Sequence, residues 1–530
     1  MKGKKTLALA LCAATLFACA GCGEKKSEKT AGKGAEIKYG ENTYPLQCDD
    51  TLTYWVQLNS VLSTSTDNFG KSPLGKELEK RTGIKVEYIH PAQGQQSDQF
   101  SLLIASGELP DMIQTNWISF GAQKSIDSKY ILPLNDIIKE WAPNLNAMLE
   151  KNEDMRKMIK TDEGNYYAFP FWRGDPYLCT YAGPIIRKDW LDELNLDVPE
   201  TIDEWETMLR AFKEKKGVKK PLTMNNAYFQ NGFLCGAFGV TQSFYLGDDG
   251  AVKFGPIEPG FKDFLILMNK WYKEKLLDND IAGSPSVSSL MLSDEAGATI
   301  GMVGGSIGGW LENKASTGEK FDLVGAPYPV LKKGDKPQFA HKDWQYGPSG
   351  AVAITTQCKN PELAAKYLDY GFSKEGEILY NFGVEGESFE YKNGEPVFTD
   401  LILKNPEGNS IDNMIARYAL SGSSGPFVHD RRAVDQTRPH KQQAEAIKNW
   451  SDTDVDKHRI PLITMTSEES RKYGNVMSEV NTYISTNMYS FINGKKSFDE
   501  YDAFVKEIKN FGIEDAIKIY EAALKRYNNR

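Results

Sequence analysis

Gly164 to Leu191 reads GNYYAFPFWRGDPYLCTYAGPIIRKDWL, and this stretch decides how the rest of the chain divides. Five aromatic residues, Tyr166, Tyr167, Phe169, Phe171 and Trp172, crowd together just before Arg173 and Asp175. Pro170 and Pro176 fix φ and interrupt a continuous sheet ladder. A short apolar run, Tyr181 to Ile186, then leads into the charged helix start Arg187-Lys188-Asp189-Trp190. The pattern predicts a strand-like connector that leaves one lobe and enters another, with rings and charges facing the gap. An ordinary buried strand pair would carry the same rings.

Outward from it, the first third alternates strand and helix. Leu52 to Gln57, Ile84 to Ile89 and Pro110 to Gln114 are predicted strands; Leu74 to Thr82, Gln99 to Ser106 and Tyr130 to Trp141 are predicted helices. Such alternation builds an α/β sheet with ligand-binding loops at the strand C-termini, which places Gln57, Asn59 and Trp117 on the rim of a cleft. Beyond the connector, Thr201 with Glu204 three residues on predicts a capped helix over Ile202 to Lys216. Strands are predicted at Leu222 to Asn226, Ala298 to Val303, Phe321 to Ala326 and Gly350 to Thr355, and the last third is helix-rich. A chain of 530 residues exceeds one hydrophobic core, so two or more lobes are expected.

The net charge is −9, and three units more negative once Lys2, Lys4 and Lys5 leave with a leader. An acidic body without a basic stripe excludes nucleic acid as the expected partner. The leader itself has a basic start, an apolar run from Thr6 to Ala18, and the ending Cys19-Ala20-Gly21-Cys22. Two small residues before a cysteine are the ending of a bacterial lipobox, in which the Cys22 thiol takes a diacylglycerol. Cys48, Cys179, Cys235 and Cys358 are widely spaced, without a zinc or redox motif; one disulfide or four buried thiols both fit.

With these residues in view the chain resembles a family. The lipobox, Leu102 to Ile113 (LLIASGELPDMI), Asn165 to Pro170 (NYYAFP) and Ile186 to Trp205 (IRKDWLDELNLDVPETIDEW) occur in an order similar to that of family 1 extracellular solute-binding proteins. These are the carbohydrate-binding lipoproteins of ABC importers. Asn381 to Thr399 and the tail Lys495 to Tyr527 resemble the longer lipoprotein subgroup.

The resemblance implies a two-lobed α/β fold of the periplasmic-binding-protein type II class, with a hinge and an interlobe cleft. It implies a signal peptide over 1–21 and a lipid-anchored tether over 22–48. It assigns 49–175 plus 345–385 to the first lobe, and 176–344 plus 386–530 to the second. The implied function is capture of an oligosaccharide and delivery to membrane permease subunits, by a monomer tethered through Cys22 to the outer face of the membrane, without enzymatic activity or cofactor.

By position in the family, Trp117 and Trp310 are expected to stack on sugar rings. Asn225 and Tyr228 follow a second-lobe strand, and Trp344 and Tyr346 precede the return to the first lobe. Trp55, Asn59, Trp172 and Arg173 complete the expected site. Pyranose faces stack on aromatic rings and their hydroxyls need planar donors and acceptors. The related alginate-binding proteins carry a calcium loop after the helix matching Ile202 to Lys216. Here that place reads KKGVKKP from Lys215 to Pro221, so no metal is expected there.

Three other readings compete. Gly304-x-Ser306-x-Gly308 matches a nucleophile elbow and would suit a secreted serine hydrolase. Asp175 and Glu385 would suit a glycosidase. A sugar-sensing lipoprotein without a transport role shares every feature of the main reading.

Overall fold

The computed structural model describes residues 44–530 apart from 225, 281–285, 406–408, 421, 423 and 424. The leader, Cys22, most of the tether and Asn225 lie outside the described residues. The chain lays down β1 (Thr51–Trp55), β2 (Lys85–Ile89), β3 (Met112–Gln114) and β4 (Phe169–Arg173) in the first lobe. It crosses to β5 (Ala182–Arg187), a small hairpin of β6 (Phe244–Leu246) and β7 (Val252–Phe254), then β8 (Ala298–Met302) and β9 (Leu323–Gly325). It returns with β10 (Tyr346–Ile354), the hairpin of β11 (Phe389–Lys392) and β12 (Glu395–Phe398), and β13 (Val428–His429).

The first-lobe sheet has the order β13-β4-β10-β3-β1-β2. β1 runs parallel to β2 and β3, β10 runs antiparallel to β3 and β4, and β13 is parallel to β4. The C-terminal ends of β1, β2, β3 and β4 and the start of β10 therefore share one edge, where loops are free to bind a ligand. The quoted stretch is a central strand. Tyr167, Phe169 and Phe171 are wholly buried, with Phe171 against Phe427 and the Tyr167 hydroxyl 3.0 Å from that of Tyr346. Its rings thus face the core rather than the gap, while its role as the connector between lobes holds.

The second lobe centres on β5, antiparallel to β8 and β9. Leu222 adds parallel bridges to Ala298 and Leu277. Helix Ile202–Lys215 is capped as predicted: Thr201 accepts from the Glu204 N–H and Glu204 accepts from the Thr201 N–H. Helical spacing marks Trp141, Trp190, Trp205, Trp271 and Trp450 as packing residues; the last four lie in one core with Phe212 and Phe264, whereas Trp141 is half-buried with the Lys366 ammonium 5.8 Å over its ring.

Residues 386–430 stay with the first lobe rather than joining the second. β13 extends the first-lobe sheet beside β4, and Ala416 of helix Ile411–Tyr418 packs on Leu58 and Leu62. The second boundary therefore falls after β13, because its ladder to Trp172 and Arg173 holds the chain there. Among the described residues, three segments cross between lobes, at 174–181, 326–345 and 430–440. A further link comes from helix Ile513–Asn528 of the second lobe: Arg526 and the following Arg530 pair with Asp162 of the first at 2.7 and 2.6 Å.

Candidate ligand site at the cleft edge of the first lobe

Side chains alternate along β1, so Tyr54 and Val56 face the side opposite to Trp55. Tyr88 of β2 and Gln114 of β3 share the Tyr54 face by register. Together with Gln57, Leu58, Asn59 and Ser349 they wall a cavity of about 310 Å³ at the C-terminal edge of the sheet. Ala416, Leu420 and Pro426 close it from the side of β13. That volume falls in the range of small-ligand pockets, roughly 300–1,000 Å³.

The polar groups in it are held in a chain. The Tyr54 hydroxyl donates to Gln114 Oε1 at 2.9 Å, and Gln114 Nε2 donates to the Ser349 carbonyl at 3.3 Å. Asn59 Oδ1 accepts the N–H groups of Val61 and Leu62, which fixes the loop after β1. Tyr88 and Tyr367 share a hydroxyl contact of 2.6 Å. Burial raises both phenols well above their usual range, so they stay neutral donors and acceptors.

The hinge is a second polar cluster. Arg173, at the end of β4, pairs with Asp343 at 2.6 Å and donates to the Trp344 carbonyl at 2.7 Å. The first and second crossings are locked together by these bonds. The Tyr181 hydroxyl also donates to Asp343, and the Tyr181 ring meets His341 edge-on at 4.7 Å. Arg431 of the third crossing reaches Asp175 of the first at 3.3 Å and lies 3.8 Å over the Tyr177 ring. In the same crossing, Arg432 pairs with Asp430 and Glu395.

Several expected platforms are interior. Trp117 is wholly buried between Phe100 and Phe120, with its N–H on the Ile113 carbonyl. Trp55 packs on Phe100, Trp172 lies in the β4 core, and Tyr346 bonds Tyr167. Trp310 belongs to the second-lobe core. Apolar neighbours enclose these rings, so in this structure they offer no free face to a sugar.

Trp344 is half-buried, with the Arg459 guanidinium 3.5 Å over its ring. Tyr228 is half-buried against the second-lobe core. Of the other expected ligand residues, Asn59 lines the cavity, whereas Arg173 is engaged by Asp343 and the Trp344 carbonyl. Tyr54, Tyr88 and Gln114 were not singled out by the sequence. The one available signal was Gln114, a polar end to the apolar strand PDMIQ.

On the second lobe, β8 ends beside the start of β5, so Met302 and the glycines after it lie at the hinge-facing edge. Met302 is 51% exposed. The Ser306 hydroxyl accepts the Met302 N–H at 3.1 Å within a helical turn from Val303 to Gly308. It therefore caps the turn instead of standing out on a strand-to-helix elbow. Cys48, Cys179, Cys235 and Cys358 are all free thiols.

The family profile of bacterial extracellular solute-binding proteins matches residues 63–378. The chain is 23% identical to the fructooligosaccharide ABC transporter substrate-binding protein FusA of Streptococcus pneumoniae serotype 4, over 98% of this chain and 97% of that one. It is 27% identical to lipoprotein LipO of Bacillus subtilis, over 81% and 82% of the two chains. Among solved structures, the alginate-binding protein AlgQ2, crystallised without calcium ion, superimposes with a TM-score of 0.73 at 26% identity, covering 91% of this chain and all of that one.

The mention of calcium prompts a test of fit at the loop after helix Ile202–Lys215. Here the Lys220 ammonium lies 3.0 Å from Asp278 and 3.6 Å from Asp280. The Asp278 side chain is fully buried and also accepts from the Thr223 hydroxyl. A covalently attached cation thus occupies the carboxylates, and the loop itself supplies lysines where a divalent ion needs oxygen ligands. The residues do not fit calcium. Calcium and chelator are therefore expected to leave the melting temperature unchanged, whereas Lys220→Ala lowers stability by about 2–3 kcal/mol by stripping Asp278 of its charge partner. Calorimetric melting in each condition checks both.

Proposed function

Because the chain belongs to the bacterial extracellular solute-binding proteins, we propose that it is the substrate-binding lipoprotein of an ABC importer and captures an oligosaccharide at the edge where its two lobes meet. The observation that carries this reading is the preformed cavity at the strand C-termini of the first lobe, walled by phenols and amides. Phenol faces and amide edges suit a pyranose or furanose, whose faces are apolar and whose rims are hydroxylated. Lobe closure follows as a population shift, since a ligand touching both lobes favours the closed state.

Lipidation at Cys22 tethers the protein to the outer face of the membrane, and the monomer hands its ligand to the permease subunits. Binding takes place without turnover. No helix among the described residues is long and apolar enough to cross a membrane.

The reading is tested by thermal shift across neutral and acidic oligosaccharides. A ligand that binds only the folded state raises the melting temperature as RT ln(1 + [L]/Kd) requires. Ser306→Ala should leave that shift and any background ester hydrolysis unchanged. Loss of hydrolytic turnover in this variant would restore the hydrolase reading.

A further inference from the structure

From the lining of the first-lobe cavity we infer a subsite that accepts an uncharged glycosyl unit and excludes uronates. This rests on the sugar-binding reading above and narrows its ligand class. The polar lining consists of hydroxyls and amides such as Tyr54, Tyr88, Gln57, Asn59 and Gln114. Among the described residues, not one lysine, arginine, aspartate or glutamate lines it.

The one imidazole among the described lining residues is His90, and its bonds keep it neutral. Its Nε2 accepts the Phe69 N–H at 3.1 Å, so the proton must sit on Nδ1, which donates to the Val56 carbonyl at 2.8 Å. A second proton on Nε2 would face the Phe69 N–H head-on. Burial lowers the His90 pKa, which agrees with that geometry. Arg173, at the end of β4, is spent on Asp343 and the Trp344 carbonyl.

A carboxylate entering this cavity would lose its water and meet only neutral dipoles, which is costly without a counter-charge. A neutral sugar meets the same amides and phenols with hydroxyls that both donate and accept. The relatives span both chemistries, since fructooligosaccharides are neutral and alginate is a polyuronate.

Calorimetry with nystose, stachyose, trigalacturonate and an alginate trimer separates the cases. At least one neutral oligomer is expected to bind roughly a hundredfold tighter than either uronate. Gln114→Leu is expected to weaken that neutral ligand about tenfold or more, and Gln57→Ala supplies a second cavity variant should the first fail to fold. Gln57→Arg, which brings a cation to the wall, should raise affinity for trigalacturonate. Tight uronate binding by the unaltered protein would overturn the inference while leaving sugar capture intact. Unchanged neutral affinity in both cavity variants would also overturn it. Binding of none of the four would remove the sugar-binding reading and this inference with it.

Discussion

Replacing His429 with glutamine is expected to make the protein about 2.5 kcal/mol less sensitive to acid between about pH 7 and pH 4.5. His429 lies in β13, its ring among Phe171 and Phe427 and its carbonyl bonded to the Gly174 N–H. Burial lowers its pKa to about 4, and the charges of Arg173 and Arg438 push the same way against Asp430. A depressed histidine binds its proton more readily in the unfolded chain. Its contribution to stability is therefore whole above the unfolded pKa, about 6.5, and is lost as the pH falls through the window down to about 4.

The absolute pH profile is a poor readout, because Asp369 acts in the opposite direction. Burial raises Asp369 to about 6 despite hydrogen bonds from Asn144 and Leu145. The folded state thus binds that proton more readily, and stability from Asp369 is present at low pH and lost as the pH rises through about 6. The difference between unaltered protein and His429→Gln isolates the histidine. Urea unfolding at several pH values measures it, and parallel profiles would show that His429 titrates normally. Since β13 immediately precedes the third crossing, the same protonation is expected to loosen the hinge first.

How much of this was legible in the sequence follows from where periodicity carries information. The alternation of strand and helix before Asn165, the Thr201–Glu204 cap and four of the five tryptophans at helical spacing are local patterns that reappear in the structure. The stretch from Gly164 to Leu191 supplies β4 and β5, which lie in different sheets, but its rings at Tyr167, Phe169, Phe171 and Trp172 are buried instead of facing a gap. In a strand covered on both faces every residue is buried, so alternation vanishes and exposure cannot be read.

Trp117 illustrates the same loss. It follows the strand-end loop that a binding aromatic would use, yet Phe100 and Phe120, distant or adjacent in sequence, enclose it. The cavity needed the register between β1, β2 and β3, which places Tyr54, Tyr88 and Gln114 on one face and has no signature within any single strand. The misplaced boundary at residue 385 has a similar cause. β13 is two residues long and is recognised only by its partner.

Trp450→Ala is expected to cost about 3–5 kcal/mol and to do so in the second lobe alone. Trp450 ends helix Lys441–Ser451, which the third crossing enters directly. The helix lies so close to the sheet that a Cβ on Gly183 would stand 2.5 Å from the Trp450 ring, and one on Gly325 would stand 2.3 Å from the Ala446 Cβ. Glycine at both positions lets the indole sink onto β5 and donate its N–H to the Pro184 carbonyl at 3.2 Å. Truncation leaves a cavity against a sheet too rigid to collapse, while the Pro184 carbonyl keeps only the Ala326 N–H. Trp450→Phe keeps most of the ring and should cost only about 1–2 kcal/mol. Urea unfolding should then resolve two transitions in the alanine variant, with the earlier one belonging to the second lobe. Because that helix anchors a hinge crossing, sugar affinity should fall below the early transition even though the residue is far from the first-lobe cavity. A single unfolding transition at the unaltered midpoint would show that the helix contributes neither to the lobe nor to the hinge.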